Sequence, residues 1–506
     1  MDIASGLLLG LQTAMQPEIL LYCFIGVFLG TLIGVLPGIG ALAAISLLLP
    51  ITFHLEPTAA IVMLAGVYYG AQYGGSTASI LLNLPGTPSS AVACLDGYPM
   101  AKQGRAGVAL FMTTVASFIG SMLGIAALVA FAPGIAEVGL LFGAAEYFSI
   151  MLLGLIAAAT LAAGSPLKGL AMVLFGLLLG TVGTDVNSGV PRFDFEIPEL
   201  MDAISLVALA MALFGIAELI SSVNLKRDGE VKEKITLRSM LPSREDVRQS
   251  VRPMLRGSGI GGFMGALPGT GPSIAAFMSY AVEKKVAKDP SRFGKGAIEG
   301  VTAPESANNA AAQTAFVPTL SLGIPGDAVM ALMLGALIIH GIQPGPMLMT
   351  AQPELFWGLI VSFAIGNIML VILNLPLVGI WVSILRIPYH VLYPAILVFI
   401  CLGVYSVNNN VFDIYMTAVL GVLGYILLKL RFEPAPLLLG FVLGPMMEEN
   451  LRRAMLLSRG DPSTFIERPI SAVVLGLCAL LLLWTAYAAL KRGLKRQELE
   501  QDRIPE

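Results

Sequence analysis

Charged residues are scarce in this sequence. Asp, Glu, Lys and Arg make up 12% of its 506 residues, whereas 56% of the residues are hydrophobic. A soluble domain carries about 25% charged residues, so this chain has too few of them to cover a surface that faces water. The charge-free stretches between residues 18 and 56, 56 and 96, 105 and 137, 354 and 386, and 386 and 413 each exceed the roughly 20 residues that a helix needs to cross the hydrocarbon core.

Two periodic patterns are also missing from these apolar stretches. They lack the polar face that a water-soluble helix shows within two turns, and they lack the alternation of apolar and polar residues that marks a membrane β-barrel strand. The sequence therefore predicts an all-α polytopic membrane protein. Its length allows about 10–12 spanning helices, together with re-entrant hairpins, at roughly 20 residues a span.

Residues for enzymatic chemistry are scarce. The chain has three histidines and four cysteines, and the cysteines (Cys23, Cys94, Cys401 and Cys478) are scattered singly, without metal-ligand spacing. The sequence contains no Gly-x-Ser-x-Gly elbow, no His-Glu-x-x-His pair and no phosphate-binding Gly-x-x-x-x-Gly-Lys loop. We therefore predict that the chain is not an enzyme, does not hydrolyse ATP and has neither a cofactor nor a resident metal.

What the chain does contain is a long internal repeat. Residues 34–40 (GVLPGIG) match 265–271 (GALPGTG), 84–87 (LPGT) match 324–327 (IPGD), and 96–99 (DGYP) loosely match 340–344 (HGIQP). The three landmarks keep their order at offsets of 231, 240 and about 244 residues. This agreement predicts a tandem duplication.

The basic residues predict that the two copies are inverted. No Lys or Arg precedes Lys102, and the loop that leaves the first copy carries Lys102 and Arg105. The approach to the second copy holds nine basic residues from Lys226 to Arg256, whereas its exit loop, residues 341–356, holds none. Because cytoplasmic loops collect Lys and Arg, the copies should enter the membrane from opposite sides, as in many secondary transporters.

The same signals divide the chain into segments. We assign residues 1–223 to the first repeat, 224–256 to a cytoplasmic linker and 257–506 to the second repeat. The transport segments are expected at about 19–100 and 257–345, the scaffold helices at about 106–223 and 355–490, and a cytoplasmic tail after them. Basic residues flank 257–282 on both sides, which predicts a re-entrant hairpin that turns near Pro268-Gly269-Thr270-Gly271.

One feature of the charge pattern leaves the exact topology open. Lys491, Arg492, Lys495 and Arg496 follow the last apolar stretch and predict a cytoplasmic C-terminus. Arg452, Arg453 and Arg459, however, fall where a simple odd number of spans would place the periplasm.

The Pro-Gly breaks within apolar segments are the predicted substrate site. A broken helix persists in a membrane only where protein or a water-filled cavity satisfies its backbone, and the freed N–H groups favour a substrate carboxylate. A plain proline kink is the alternative for any single break, and contact between packed helices is the alternative for the polar residues beside them. The predicted substrate-binding residues are Pro37, Gly38, Gly40, Gly86, Thr87, Ser89, Ser90, Pro268, Gly269, Thr270, Asn308, Asn309, Pro325 and Gly326.

A second group of polar residues is predicted to couple transport to a cation. A carboxylate within a membrane marks an ion or proton pathway; Asp327 stands where the first copy has Thr87, and Glu305 begins the uncharged run that leads to it. The alternative for Glu305 is a residue at the end of a loop near Lys295. The predicted coupling residues are Ser76, Thr77, Asn83, Glu305, Gln313 and Asp327, with Na⁺ as the expected ion and H⁺ as the alternative.

Five runs of sequence resemble one family. They are residues 34–40 (GVLPGIG), 69–76 (YGAQYGGS), 83–90 (NLPGTPSS), 305–310 (ESANNA) and 322–326 (LGIPG). These motifs are similar to those of the TctA family, the large membrane subunit of bacterial tripartite tricarboxylate transporters, and the resemblance covers nearly the whole chain. One departure is Asp327, where members of the family often carry a small polar residue.

The resemblance implies an elevator-type transporter of the bacterial inner membrane. Its partners would be a small TctB-like membrane subunit and a periplasmic TctC-like solute-binding protein, and it would bind no nucleic acid. Its substrate would be a small organic di- or tricarboxylate such as citrate, taken up with a cation gradient that is commonly Na⁺. The alternative is a stand-alone carboxylate carrier or channel that needs no receptor.

Overall fold

We describe the chain from a computed structural model, which covers residues 2–36, 40–161, 165–185, 188–222, 235–236, 238–385 and 389–501. Helices account for 79% of the structure. Within the covered residues only two short strands pair, the antiparallel β1 (Gly183–Thr184) and β2 (Pro191–Arg192). The prediction of an α-helical membrane protein is confirmed.

The first part of the chain forms six helices. They are α1 Ile3–Ala14, α2 Pro17–Val35, α3 Gly40–Thr52, α4 Pro57–Leu82, α5 Ala91–Lys102 and α6 Ala106–Gly139. Pro17 and Pro57 open α2 and α4 because a helix needs no N–H donor at its first position. The side chain of Glu56 caps α4 by accepting from the Ala59 N–H at 3.1 Å, and Asn83 ends α4 in the left-handed conformation.

A middle segment follows α6 and is built from shorter helices. They are α7 Ala144–Leu161, α8 Pro166–Gly180, α9 Leu206–Ala210 and α10 Ala217–Ser222, with a π-helical turn, Met211–Ile216, between the last two. α7 and α8 form a tight pair, since Gly169 of α8 lies against the carbonyl of Ala159. The strands β1 and β2 lie between α8 and α9.

The second copy repeats the order of elements of the first. It contains α11 Arg244–Gly265, α12 Gly271–Val286, α13 Glu299–Thr314, α14 Phe316–Leu322, α15 Ala328–Ile339, α16 Leu348–Ala351 and α17 Pro353–Asn374. In each copy two helices flank a glycine-rich turn, a long polar helix runs to a Pro-Gly break, a short helix follows, and a long apolar helix leaves. This order matches the duplication seen in the sequence.

The last part of the chain contains α18 Val378–Ile384, α19 Tyr389–Asn408, α20 Val411–Lys429, α21 Ala435–Leu457, α22 Thr464–Glu467 and α23 Pro469–Gln501. Of these, α21, α22 and α23 pack against α7, and α21 also packs against α8. The helices α19 and α20 pack against the segment from α9 to α10, and α19 also packs against α3. α8 and α21 run in parallel, since Gly176 faces the carbonyl of Leu437 and Gly180 faces that of Phe441.

An ion-pair network lies where α8 and α21 end. Arg192 contacts Glu448 at 2.9 Å, and Arg452 contacts Glu448 at 2.6 Å and Asp185 at 3.0 Å. Arg453 pairs with Glu449 one turn along α21. Arg452 and Arg453, two of the three arginines whose positions conflicted with a simple topology, therefore form ion pairs with carboxylates.

Five helices in the described part of the chain are long and apolar enough to span a membrane by themselves. They are Pro17–Val35, Ala106–Gly139, Pro353–Asn374, Val411–Lys429 and Pro469–Tyr487. This is fewer than the predicted number of spans, for two physical reasons. The breaks divide other apolar stretches into short helices such as α3 and α15, and α4 and α13 are rich in Gly, Ser, Thr and amide residues, which lowers their hydropathy.

Each copy is held together at its centre by one glycine seam. Each seam consists of three glycines spaced by four residues, which face backbone carbonyls of the next long helix: Gly26, Gly30 and Gly34 face Met63, Val67 and Ala71, and Gly257, Gly261 and Gly265 face Ala303, Ala307 and Ala311. A Cβ at any of the six would come within 2.0–2.4 Å of a carbonyl oxygen. Only glycine permits this approach, and the two seams are offset by the same number of residues as the first landmark.

The seams also set the direction of the chain. Because contacts advance together along both helices, α2 runs parallel to α4 and α11 runs parallel to α13. The intervening helices α3 and α12 must therefore run back, so that α2–α3 and α11–α12 are hairpins. The hairpin that the sequence predicted in the second copy is present, with its turn at residues 266–270.

The long polar helices of the two copies run in opposite directions. Along α4, the ring of Tyr68 lies 6.5 Å from the ring of Phe316, and the Ser76 hydroxyl contacts the carboxylate of Glu305. Advancing along α4 thus means receding along α13 and α14, so these helices are antiparallel. The helix that leaves each copy packs on the long helix of the other, α6 on α13 and α17 on α4.

The predicted linker is shorter than its assigned range. Residues 223–234 and 237 lie outside the described part of the chain, but α11 begins at Arg244. Ser243 and Asp246 form a reciprocal N-cap, in which the Ser243 hydroxyl accepts from the Asp246 N–H at 3.1 Å. Asp246 also pairs with Arg105. Residues 244–256 therefore belong to the first arm of the hairpin.

A buried carboxylate ties the two copies together at one end. Asp96 of α5 is fully buried, and its Oδ1 accepts from the N–H groups of Gly294, Gly296 and Ala297 at 2.8 Å each. The Tyr280 hydroxyl donates to Oδ2 at 2.9 Å. The loop before α13 is thus held to the end of α5, a role that the sequence did not indicate.

The seams predict a sharp contrast between two glycines of α11. Gly261→Ala places a Cβ 2.0 Å from the Ala307 carbonyl oxygen and should destabilise the protein by about 1–3 kcal/mol, because the helices must separate. Gly259→Ala, in the same helix with open space around it, should be neutral or stabilise by up to about 1 kcal/mol. Thermal unfolding in detergent measures both, and equal melting temperatures for the two variants would contradict the seam.

Candidate functional site

The two Pro-Gly breaks lie against the tips of the hairpins. A Cβ at Gly86 would come within 1.9 Å of the Gly34 carbonyl oxygen, so the first break packs directly on the end of α2. At the second break, the Gly269 N–H donates to the Gly326 carbonyl at 2.8 Å. Each break therefore meets the hairpin of its own copy, which explains why the sequence carries these two motifs together.

Some residues of the first hairpin tip fall outside the described residues. Pro37 and Gly38, both predicted to bind substrate, lie there, together with Ile39. Gly40 is described, and it opens α3 in the left-handed conformation with φ of 67° and open space around its Cα.

A buried carboxylate cluster joins α4, α6 and α13. Glu305 is 1% exposed. Its Oε2 accepts from the Ser76 hydroxyl at 2.5 Å, and its Oε1 accepts from the Ser117 hydroxyl at 2.7 Å. Glu305 thus lies within α13 of the second copy, and its carboxylate bonds to α4 and α6 of the first copy. The alternative role, a residue at the end of a loop, is wrong for this side chain.

The neighbouring amide pair completes the cluster. The Asn309 Nδ2 lies 3.2 Å from Glu305 Oε1, 3.0 Å from Ser117 Oγ and 2.6 Å from Asn308 Oδ1. The Asn308 Nδ2 lies 3.4 Å from Glu305 Oε2. The structure therefore brings together residues that the sequence assigned separately to substrate and to cation. All the contacts to the carboxylate come from neutral donors.

Close helix packing makes this cluster possible. A Cβ at Gly120 would come within 2.2 Å of the Ser306 carbonyl oxygen, so α6 approaches α13 as closely as α11 does. Ser117 lies three residues before this contact and reaches Glu305 for that reason. The sequence predicted α6 to be a scaffold helix and did not single out Ser117. The available signal was the pair of serines, 117 and 121, spaced by four residues like the glycines 120 and 124 beside them.

The first break is lined by hydroxyl groups. The Thr87 and Ser89 hydroxyls lie 3.0 Å apart, and the Ser89 hydroxyl donates to the side-chain carbonyl of Gln72. The Ser90 hydroxyl accepts from the Thr87 N–H at 3.1 Å and from the Ser79 hydroxyl at 3.0 Å. Thr87, Ser89 and Ser90 are each less than 5% exposed. The break thus opens a short helical turn, Pro88–Ser90, with a cluster of neutral hydroxyls and an amide.

The second break differs because it carries its own anion. Asp327 is the N-cap of α15: its Oδ1 accepts from the Met330 N–H at 2.8 Å, and its Oδ2 accepts from the Tyr68 hydroxyl at 2.6 Å. A carboxylate is the group that a helix N-terminus attracts. Asp327 therefore already places a carboxylate at the N-terminus of α15, whereas its counterpart Thr87 leaves the first break neutral.

The remaining predicted residues are placed less uniformly. Pro325 and Gly326 are buried beside Asp327, and Thr270 caps the second hairpin turn by donating to the Leu267 carbonyl at 2.9 Å. Pro268 faces α7. Thr77 and Gln313 are buried in α4 and α13. Asn83 is exposed at the end of α4, so the structure does not bring it into the carboxylate cluster.

The polar groups of the site are of few chemical kinds. Among the described residues, no group of three or more His, Cys, Asp or Glu side chains could hold a metal ion. The buried groups are hydroxyls, amides and two carboxylates. Such groups can bind a carboxylate or a hard cation through oxygen and N–H contacts.

Comparison with known proteins shows what the chain is similar to. It matches the family described as the tripartite tricarboxylate transporter TctA family over residues 20–439. It is 53% identical to an uncharacterized 52.8 kDa protein in the TAR-I ttuC′ 3′ region of Agrobacterium vitis, over 94% of each chain. It is 59% identical to an uncharacterized protein in the TAR-II ttuC′ 3′ region of the same organism, over 44% of this chain and 93% of that one. No solved structure matches.

The cluster predicts a specific cost for losing Ser117. Ser117→Ala removes the hydroxyl that donates to Glu305 at 2.7 Å and should lower the free energy of unfolding by about 1.5–3 kcal/mol, the usual contribution of a hydrogen bond to a charged group. Thr113→Val is the matched control, because the Thr113 hydroxyl bonds only to Leu110 of its own helix. Unfolding in detergent compares them, and a Ser117→Ala variant as stable as the control would refute the assigned bond.

Proposed function

The chain belongs to the tripartite tricarboxylate transporter TctA family, and from this premise we propose that it is the large permease subunit of a tripartite secondary uptake system for organic di- and tricarboxylates. The observation that carries the proposal is the family match over residues 20–439. It is a transporter family, not a family of enzymes. A cation gradient, with Na⁺ as the ion, drives the uptake that we propose.

The first break is the part of the site that we assign to the substrate carboxylate. Gly86 lies against Gly34 and so brings the backbone of the two segments together. The hydroxyls of Thr87, Ser89 and Ser90 make this break polar and leave it without a charge of its own. At the second break, Asp327 already places a negative charge at the start of α15. Like charges repel in a low dielectric, so a substrate anion is favoured at the first break over the second.

We further propose that the two copies are inverted repeats that move as an elevator. The antiparallel crossing of α4 and α13 supports inversion, as does the reciprocal packing of α6 on α13 and α17 on α4. Hairpins and broken helices that meet between such repeats are typical of secondary transporters. In this proposal the hairpins and breaks carry the substrate, and the long apolar helices form the scaffold.

The proposed location is the bacterial inner membrane, with the Arg105–Asp246 end in the cytoplasm. α6 starts at that end, α7 returns, and α8 runs forward again, which puts the Arg192–Glu448 pair at the opposite, periplasmic end. α23 then runs back, so that the basic residues after it lie in the cytoplasm, in line with the positive-inside rule. A periplasmic TctC-like receptor would deliver the solute at the Arg192 end, and a small TctB-like subunit would pack in the membrane.

Reconstitution tests the proposed function. Proteoliposomes that hold this chain and its small membrane subunit, given a solute-loaded periplasmic receptor and an inward Na⁺ or H⁺ gradient, should accumulate a di- or tricarboxylate. Liposomes without the receptor are the control. No accumulation under any gradient would overturn the proposal, and accumulation without the receptor would support a stand-alone carrier instead.

Two site variants should lower uptake without loss of folded protein. Asn308→Ala removes an amide that contacts both Glu305 and Asn309, and Asp327→Asn removes the charge at the second break while keeping an N-cap oxygen. Each should reduce the initial rate of uptake by about ten-fold, equivalent to about 1.4 kcal/mol of barrier. Asn374→Ala is the control, because the amide of Asn374 bonds to its own helix at Leu370. Normal uptake in both site variants would refute the site.

A further inference from the structure

A stripe of three polar residues on α13 faces α6. Glu305, Asn309 and Gln313 are spaced by four residues, so they lie on one face of the helix, and none is more than 1% exposed. Asn309 bonds to Ser117 of α6. Gln313 faces the same helix, because a Cβ at Gly124 would lie 3.0 Å from the Gln313 Cβ. We call the contact zone between this stripe and α6 the polar seam; it is distinct from the two glycine seams.

Part of this stripe has no protein partner. In the described part of the chain, Asn309 Oδ1 and both polar atoms of the Gln313 amide are buried without a hydrogen bond. Leaving such an atom buried and unpaired costs about 1–3 kcal/mol. Three unpaired polar atoms on two residues that lie four positions apart indicate that something other than protein fills the seam.

The charge of the seam identifies the class of ligand. Ionised carboxylates are acceptors only, and each partner of the Glu305 carboxylate, on Ser76, Ser117, Asn308 and Asn309, presents a donor hydrogen. Among the described residues, no Lys, Arg or His forms an ion pair with Glu305. An ionised carboxylate inside a membrane needs a compensating positive charge.

We propose that this seam is a binding site for a dehydrated Na⁺ ion, with Asn309 Oδ1 and Gln313 Oε1 as ligands and the Glu305 carboxylate as its counter-charge. Neutral amide oxygens suit a hard cation, and the absence of clustered His, Cys or acidic ligands in the described residues argues against a transition metal. The proposed ligands lie on α13, whereas the substrate carboxylate is assigned to the first break, which lies between α4 and α5. Only the statement that this Na⁺ is the coupling ion rests on the proposed function.

The Gln313 amide offers a sharp test because it forms no hydrogen bond with any residue that the structure describes. Gln313→Met keeps the length of the side chain and removes both unpaired polar atoms, so in Na⁺-free buffer the variant should be as stable as the wild type or more stable. Added Na⁺ should stabilise the wild type in a saturable way. The variant should lose this response, or need about ten-fold more Na⁺ to show it. If Gln313 had a purely structural role, the Gln313→Met variant would be less stable than the wild type in Na⁺-free buffer.

The measurement is thermal unfolding of the full-length protein in detergent, titrated with NaCl against choline chloride at constant ionic strength, and with KCl in parallel. No carboxylate and no partner subunit are present. Asn374→Leu is the matched control, because it removes a buried amide outside the seam and should leave the Na⁺ midpoint unchanged. Glu305→Gln should also raise the midpoint by about ten-fold, since it removes the counter-charge.

Three results would overturn the inference. One is a wild type that Na⁺ stabilises no more than choline or K⁺ does, as expected if water fills the seam. Another is an unchanged Na⁺ midpoint in Gln313→Met. The third is a midpoint that shifts equally in Asn374→Leu. Carboxylate uptake driven only by H⁺, with no Na⁺ binding, would contradict this site and the choice of Na⁺ as the coupling ion, but it would leave the proposed tripartite carboxylate uptake intact. Na⁺ binding without any uptake would contradict the proposed uptake and leave the site intact.

Discussion

A backbone carbonyl can approach a neighbouring helix to direct contact only where that helix lacks a Cβ, and the centre of this protein depends on that constraint. The glycine seams bring α2 onto α4 and α11 onto α13, and Gly120 brings α6 onto α13 in the same way. Only at the close spacing of α6 and α13 can a short side chain such as Ser117 reach Glu305. Since the hydrocarbon core supplies no hydrogen bonds, the seams are what make a polar interior possible.

The two Pro-Gly breaks stand at matched positions of the sequence repeat but differ in their chemistry. Each break packs on the tip of its own hairpin. Thr87 leaves the first break neutral, whereas Asp327 caps α15 at the second with a carboxylate. One residue therefore decides whether a break carries a negative charge of its own.

Features that depend on neighbouring residues could be predicted from the sequence. The membrane class follows from charge-free stretches, the breaks from Pro-Gly pairs, and the hairpin of the second copy from basic residues on both sides of it. The number of long spans was not predictable in the same way, because a polar helix such as α4 is stabilised by the protein around it rather than by lipid. The start of α11 was missed for a local reason, since the Ser243–Asp246 cap lies within a stretch that otherwise reads as a polar linker.

The amino-acid sequence was enough to predict a helical membrane protein of the TctA family with Pro-Gly breaks and an internal repeat, because hydropathy and backbone restrictions act over a few residues. How the buried charges are satisfied depends on the tertiary fold. Glu305 meets Ser117 and Ser76 across 188 and 229 residues of chain, and Asp96 meets Gly294 across 198. No local pattern marks such partners, since they come from segments that are far apart in the chain and meet only when the helices pack.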